Sequence, residues 1–71
     1  MLYFCSYEVT HNGNVINRGQ TVIENSIIKS QADYNKVYER ISKMAKTSLI
    51  RKSGYRESEL FVHLISFNGL F

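Results

Sequence analysis

The sequence has few cysteine and histidine residues, through which small domains commonly form disulfides or bind structural metal ions. It contains 71 residues with a single cysteine, Cys5, and neither proline nor tryptophan. A lone thiol excludes a disulfide within the chain, and Cys5, His11 and His63 lack the paired spacing of a structural zinc site. We therefore expect no metal and no other cofactor. A domain this small needs another source of stability, and oligomerisation is the source that is left.

Long apolar runs and low-complexity segments are also missing. No stretch of 18 consecutive apolar residues occurs, so we expect neither a membrane span nor a membrane partner. The lack of proline and a charged fraction of 21% argue against a disordered linker. The first residues contain no basic leader or cleavage signature, and a single cysteine is typical of a reducing compartment. These features predict one small domain over residues 1–71, located in the cytoplasm.

Two segments near the N-terminus have the composition of strands joined by a hairpin turn. Residues 2–10 are rich in Tyr, Phe, Val and Thr, and residues 15–24 resume a strand-like pattern. Between them stands Asn12-Gly13, a dipeptide that readily adopts the two positive φ angles of a tight hairpin turn. Gly19 interrupts the second segment, and we expect a β-bulge there.

An amphipathic helix is predicted over residues 31–51. Ser30 is a favourable N-cap, Asp33 suits the positive end of the helix dipole, and Gly54 marks the end. Apolar residues recur at spacings of three and four along this segment: Tyr34, Val37, Tyr38, Ile41, Met44, Ala45 and Leu49.

The last predicted strand, residues 60–67, is apolar on both faces. Because side chains alternate along a strand, Leu60, Val62 and Leu64 would point to one side. The intervening positions would point to the other side and are Phe61, His63, Ile65 and Phe67. A domain of this size has a helix for one face of a sheet and little material for the second. These four residues are therefore the predicted interface with a partner.

The order strand, strand, helix, strand predicts an α+β fold with a three-stranded antiparallel sheet. With the helix crossing one face, the third strand most simply runs beside the first, which gives the spatial order 2-1-3. An apolar strand is then left on an edge, and such edges favour pairing. We expect a homodimer, formed by edge pairing or by stacking of the exposed faces, with an unidentified protein as the other occupant. After the strand, Asn68-Gly69 predicts a turn that folds Leu70 and Phe71 back onto the core.

Positive charge is concentrated in the predicted helix and the loop that follows it. The chain has a net charge of +3, and residues 34–56 contain seven Lys or Arg against one Glu. Non-specific nucleic-acid binding by neutralisation of phosphates is the alternative function, whereas a solvated helix face kept for solubility is the simpler interpretation. The candidate phosphate contacts are Lys36, Arg40, Lys43, Arg51, Lys52 and Arg56.

The sequence contains no arrangement typical of catalysis. Cys5 and His63 fall on neighbouring predicted strands, so a thiolate–imidazole pair is geometrically conceivable, but no third member accompanies it. The acidic residues are dispersed, and no glycine-rich phosphate loop occurs. We expect a non-enzymatic protein-interaction module that has no small-molecule substrate. Its size and basic composition are typical of accessory proteins of phages and other mobile elements.

Overall fold

The computed structural model describes residues 1–70 and has the predicted α+β architecture. Its elements are β1 (Leu2–His11), β2 (Asn14–Glu24), α1 (Gln31–Ser53), a short 3₁₀ turn (Glu57–Glu59) and β3 (Leu60–Leu70). The three strands form one antiparallel sheet in the order β2-β1-β3, which confirms the predicted topology. At about 1.5 Å per residue, the helix is roughly 34 Å long and matches the length of the strands beneath it.

The hairpin turn is built as the sequence predicts. His11 and Asn14 face each other at the ends of β1 and β2, so the loop contains only Asn12 and Gly13. Their φ angles are 50° and 82°. Positive φ at both central residues is the type I′ geometry, whose twist matches that of the flanking strands.

Strand β2 contains a β-bulge at Ile16. The prediction of a bulge at Gly19 is wrong. Two consecutive residues of β1 pair with Val15 and Asn17, which leaves Ile16 without a partner in the ladder. Gly19 lies in regular register opposite Tyr7. The glycine is explained by crowding, because the ring of Tyr7 occupies the space that a side chain on residue 19 would need.

A second bulge lies at Ile65 in β3 and changes which side chains face the helix. Consecutive residues of β1 pair with Leu64 and Ser66, so Ile65 is the unpaired residue. Beyond this bulge the alternation is displaced by one position. Phe67 consequently faces the helix, where its ring stacks on Tyr3 with centroids 5.0 Å apart. The prediction that Phe67 shares a face with Phe61 is therefore wrong.

Both ends of the helix have the predicted caps. The Ser30 hydroxyl accepts a hydrogen bond from the Asp33 amide at 3.2 Å, and the Asp33 carboxylate accepts one from the Lys29 amide at 3.2 Å. At the other end Gly54 has a φ of 70° and donates its amide to the Ile50 carbonyl. The left-handed residue ends the helix two positions later than predicted.

The core lies between the helix and strands β1 and β3. It consists of two buried clusters, one of Tyr3, Cys5, Val37 and Ile41, the other of Val9, Ala45, Leu60 and Val62. Tyr7 packs against both clusters. The helix lies nearest to β3, and the side of β2 that faces it is mostly small or polar. Met44, predicted for the apolar stripe, is consequently 46% exposed.

The C-terminal residues do not form the predicted turn. Asn68 and Gly69 continue β3, and Leu70 pairs with Leu2 at the start of β1. Continued pairing with a strand already in place provides ladder hydrogen bonds that a local turn would forfeit. Phe71, which was expected to close the core, lies outside the described residues.

Candidate interaction surface

The face of the sheet that is turned away from the helix carries no covering element within residues 1–70. We call it the open face; its side chains come from alternate positions of all three strands. Phe61 and Ile65 are the most exposed apolar residues on it, at 60% and 58%. The other large apolar residues that stand exposed on this face are Leu2, Val15 and Val22. Several large apolar side chains exposed together on one face are typical of a contact surface.

Three of the four predicted interface residues lie together on the open face. The rings of Phe61 and His63 are neighbours with centroids 4.8 Å apart, and Ile65 follows on the same strand. Phe67 is the exception, because the bulge turns it towards the helix, where it makes an edge contact with Tyr34 at 5.6 Å. The structure thus replaces a four-residue stripe with a three-residue cluster on the first half of β3.

A recess occupies the middle of the open face beside Ile65. It has a volume of about 390 Å³, and Ser6, Arg18 and Gln20 contribute to its lining. Arg18 donates to the Glu8 carboxylate at 3.3 Å, so the only Lys or Arg residue in the three strands is paired with an acid. The hydroxyls of Ser6 and Ser66 are 2.7 Å apart. This recess could not be predicted from the sequence, since it depends on how three separate strands are juxtaposed.

The six predicted phosphate contacts are all exposed and lie on or just after the helix. From Lys36 to Arg51 the helix rises roughly 22 Å, which spreads the positive charge along its length. Arg40 donates to the Asn25 side chain at 3.2 Å, and Arg56 lies 3.9 Å from the Glu59 carboxylate. The group is Lys36, Arg40, Lys43, Arg51, Lys52 and Arg56, and we call it the basic stripe.

The basic stripe borders a groove between the helix and β2. Arg40 and Lys43 stand at its rim, and Ile23, Ile41 and Met44 contribute apolar surface to a volume of about 360 Å³. The groove exists because the helix lies nearer to β3 than to β2. The stripe therefore combines a row of cations with a limited apolar strip.

The conceivable thiolate–imidazole pair is not formed. Cys5 is fully buried under the helix, whereas His63 is exposed on the open face, so the sheet separates the two side chains. Burial raises the pKa of the Cys5 thiol, which disfavours the thiolate that a nucleophile requires. Within residues 1–70, no group of three or more His, Cys, Asp or Glu side chains is arranged to hold a metal ion.

His11 has a structural contact that the sequence did not reveal. Its Nε2 lies 3.0 Å from a carboxylate oxygen of Glu59, and its ring lies 4.7 Å from that of Tyr55. These contacts join the end of the hairpin to the segment that leads into β3. The signal was absent from the sequence because the residues in contact are separated by more than 40 positions.

Comparison of the chain with protein-family models, with curated proteins and with solved structures finds no match. The described part of the chain contains no helix with the length and apolar character needed to cross a membrane. Function must therefore be argued from the open face and the basic stripe themselves.

Proposed function

We propose that this protein is a non-enzymatic interaction module that self-associates through its sheet, with the apolar cluster on β3 in the contact. The observation that carries the proposal is the open face, where Phe61, His63 and Ile65 form an exposed cluster on an edge strand. Large apolar and aromatic side chains that lose their exposure on contact dominate the binding energy of protein interfaces. Self-association would cover a surface that no element within residues 1–70 covers.

The size and shape of the protein support this proposal. Its accessible surface is 5008 Å², whereas a monomer of this mass typically exposes roughly 4,600 Å². Its radius of gyration is 12.6 Å, compared with about 11 Å for a compact domain of this length. Both differences are those of an elongated two-layer body, 36 Å long and 20 Å across, in which one face of the sheet is left uncovered.

The solution mass tests the proposal directly. Size-exclusion chromatography with light scattering should give a mass near twice that of the 8.3 kDa chain, falling towards the monomer mass on dilution. A mass of one chain at every concentration up to the solubility limit would refute self-association. Recording absorbance at 260 and 280 nm on protein not treated with nuclease reveals any nucleic acid that copurifies.

A second candidate function is non-specific nucleic-acid binding through the basic stripe. Its support is the common exposure of all six cations along one helix and the loop beyond it. Phosphate neutralisation predicts binding that weakens steeply with salt and depends little on sequence. The two functions are compatible, since the stripe and the open face lie on opposite sides of the molecule.

Fluorescence anisotropy with a labelled DNA duplex at several salt concentrations tests this second candidate. A triple variant in which Lys36, Arg40 and Lys43 are each replaced by Gln should show a shallower slope of log affinity against log salt, by about 2 to 3. Lys29→Gln is the matched control, because Lys29 is exposed but precedes the helix. Absence of binding at low salt would exclude the candidate.

A further inference from the structure

We infer that a second copy of this chain covers the open face by stacking sheet against sheet, and that the β3 edge is not the contact. This inference rests on the proposed self-association and adds its geometry. Edge pairing would extend the sheet to six strands and leave the open face exposed. Face stacking would instead bury Phe61, His63 and Ile65 between the two sheets. The two arrangements are distinguished by the backbone hydrogen-bonding groups at the β3 edge and by the shape of the open face.

The pattern of hydrogen bonds shows which backbone groups point to the outer edge of β3. The Met1 carbonyl accepts from the Asn25 amide at 3.0 Å, so odd-numbered residues of β1 are directed towards β2. Successive residues of an antiparallel strand direct their backbone groups to alternate neighbours. Val62, Leu64 and Phe67 pair with odd-numbered β1 residues. Their own amides and carbonyls therefore point outwards, away from β1.

Two features of that edge oppose pairing with another strand. The Tyr38 hydroxyl donates to the Val62 carbonyl, so one outward acceptor is already occupied. The bulge at Ile65 then separates the outward groups of Leu64 and Phe67 by three residues instead of two. A partner strand needs the regular two-residue repeat, and a bulge is a common way in which proteins protect an edge.

The open face has the area and relief that a second copy requires. Three strands of about ten residues give a surface of roughly 33 by 14 Å, or about 500 Å². Two such faces would bury roughly 1,000 Å², the lower limit of a specific interface. Ile65 projects beside the central recess. A two-fold axis that lies between the two sheets and parallel to them can place each Ile65 in the recess of the other copy.

Charge favours a second copy over a highly charged partner at this face. The open face carries Arg18 against Glu8 and Glu24, and the first two are paired with each other. The other eight Lys and Arg residues lie in the segments from Lys29 onwards, outside the sheet. Two nearly neutral faces can approach each other without like-charge repulsion, while the basic stripes remain on the two outer sides of the dimer.

Sedimentation equilibrium of two open-face variants and a matched control tests the arrangement. Ile65→Glu and Phe61→Glu should each raise the dimer dissociation constant at least about a hundredfold, since each change acts on both sides of the two-fold axis. Ile27→Glu replaces an equally exposed apolar residue, 62% exposed, in the loop before the helix. It should leave the constant within about twofold. Circular dichroism confirms that all three variants are folded.

Amide hydrogen exchange reports separately on the edges. The amides of Leu64 and Phe67 in β3, and of Val22 in β2, should exchange equally fast in the wild-type dimer and in monomeric Ile65→Glu. A dimer that tolerates both Glu substitutions, or that protects these edge amides, overturns face stacking but preserves self-association. A wild-type protein that is monomeric at every concentration overturns both proposals.

Discussion

The ring of Tyr7 lies over Gly19 of the neighbouring strand, in the space where a side chain on residue 19 would stand. The two residues are directly opposite in the β1–β2 register. Tyr7 packs against both buried clusters, so its ring connects the two halves of the core. Glycine within a strand usually weakens it, but here its missing side chain permits the close approach of the aromatic ring.

Gly19→Ala should therefore destabilise the protein by about 1–3 kcal/mol, because the new methyl group forces the Tyr7 ring away from the core. Urea denaturation followed by circular dichroism measures the change. In a Tyr7→Ala background the same substitution should cost nothing, since the obstacle is gone and alanine restricts the unfolded chain. An equal loss in both backgrounds would show that the ring is not responsible.

Tyr38→Phe should lower the free energy of unfolding by about 1 kcal/mol, because the Val62 carbonyl loses its hydrogen-bond donor. Tyr34→Phe is the matched control. The Tyr34 ring also contacts the core, but its hydroxyl makes no hydrogen bond within the described residues. Chemical denaturation of both variants should show a loss only for Tyr38→Phe, and equal losses would argue against the assigned bond.

Ser30→Ala should cost about 1 kcal/mol, since the Ser30 hydroxyl satisfies the Asp33 amide at the start of the helix. Ser48→Ala changes an exposed serine in the helix interior and should lie within about 0.5 kcal/mol of the wild type. Thermal and urea denaturation give both values. A loss that is the same at the two positions would indicate a general effect of removing a hydroxyl and not a lost cap.

The buried thiol of Cys5 predicts a decline of stability at alkaline pH. Burial raises the pKa of Cys5 in the folded protein, whereas in the unfolded chain the thiol ionises near pH 8.5, about the value of a free cysteine. Above that pH the unfolded state releases its proton first. Stability should then fall by up to about 1.4 kcal/mol per pH unit until the folded-state pKa is reached.

Urea denaturation of the wild type and Cys5→Ala between pH 7 and 10 isolates this contribution, because tyrosine ionisation is common to both proteins. The variant should be less stable at neutral pH, as it loses buried volume, but its decline above pH 8.5 should be shallower. Parallel declines of the two proteins would contradict the assignment to Cys5.

The features that were predictable from the sequence depend on neighbouring residues. The positive φ angles at Asn12-Gly13, the cap at Ser30 and the stop at Gly54 each follow from local chemistry, and the helical stripe follows from periodicity. The strand order then needed only the rule for short connections. These local preferences agree with one another, and the overall architecture was correctly predicted for that reason.

The features that could not be predicted depend on pairing between distant segments. A bulge arises from how a strand is matched to its neighbour, so nothing near Ile65 distinguishes it from an ordinary alternating position. The wrong placement of Phe67 and the unforeseen recess share this origin. Asn68-Gly69 failed as a turn signal because β1 offered a ladder partner. The open-face positions of Phe61, His63 and Ile65 were predictable because they precede or form the bulge.

The bulge also means that the sheet could dispense with one residue. If Ile65 were deleted, Leu64, Ser66 and Phe67 would alternate across the sheet without interruption, and every other pair with β1 would keep its partner. Within the described residues Ile65 belongs to neither buried cluster and has no ladder partner. The monomer's fold does not need this position, and the Ile65 side chain adds apolar surface only to the outside of the molecule.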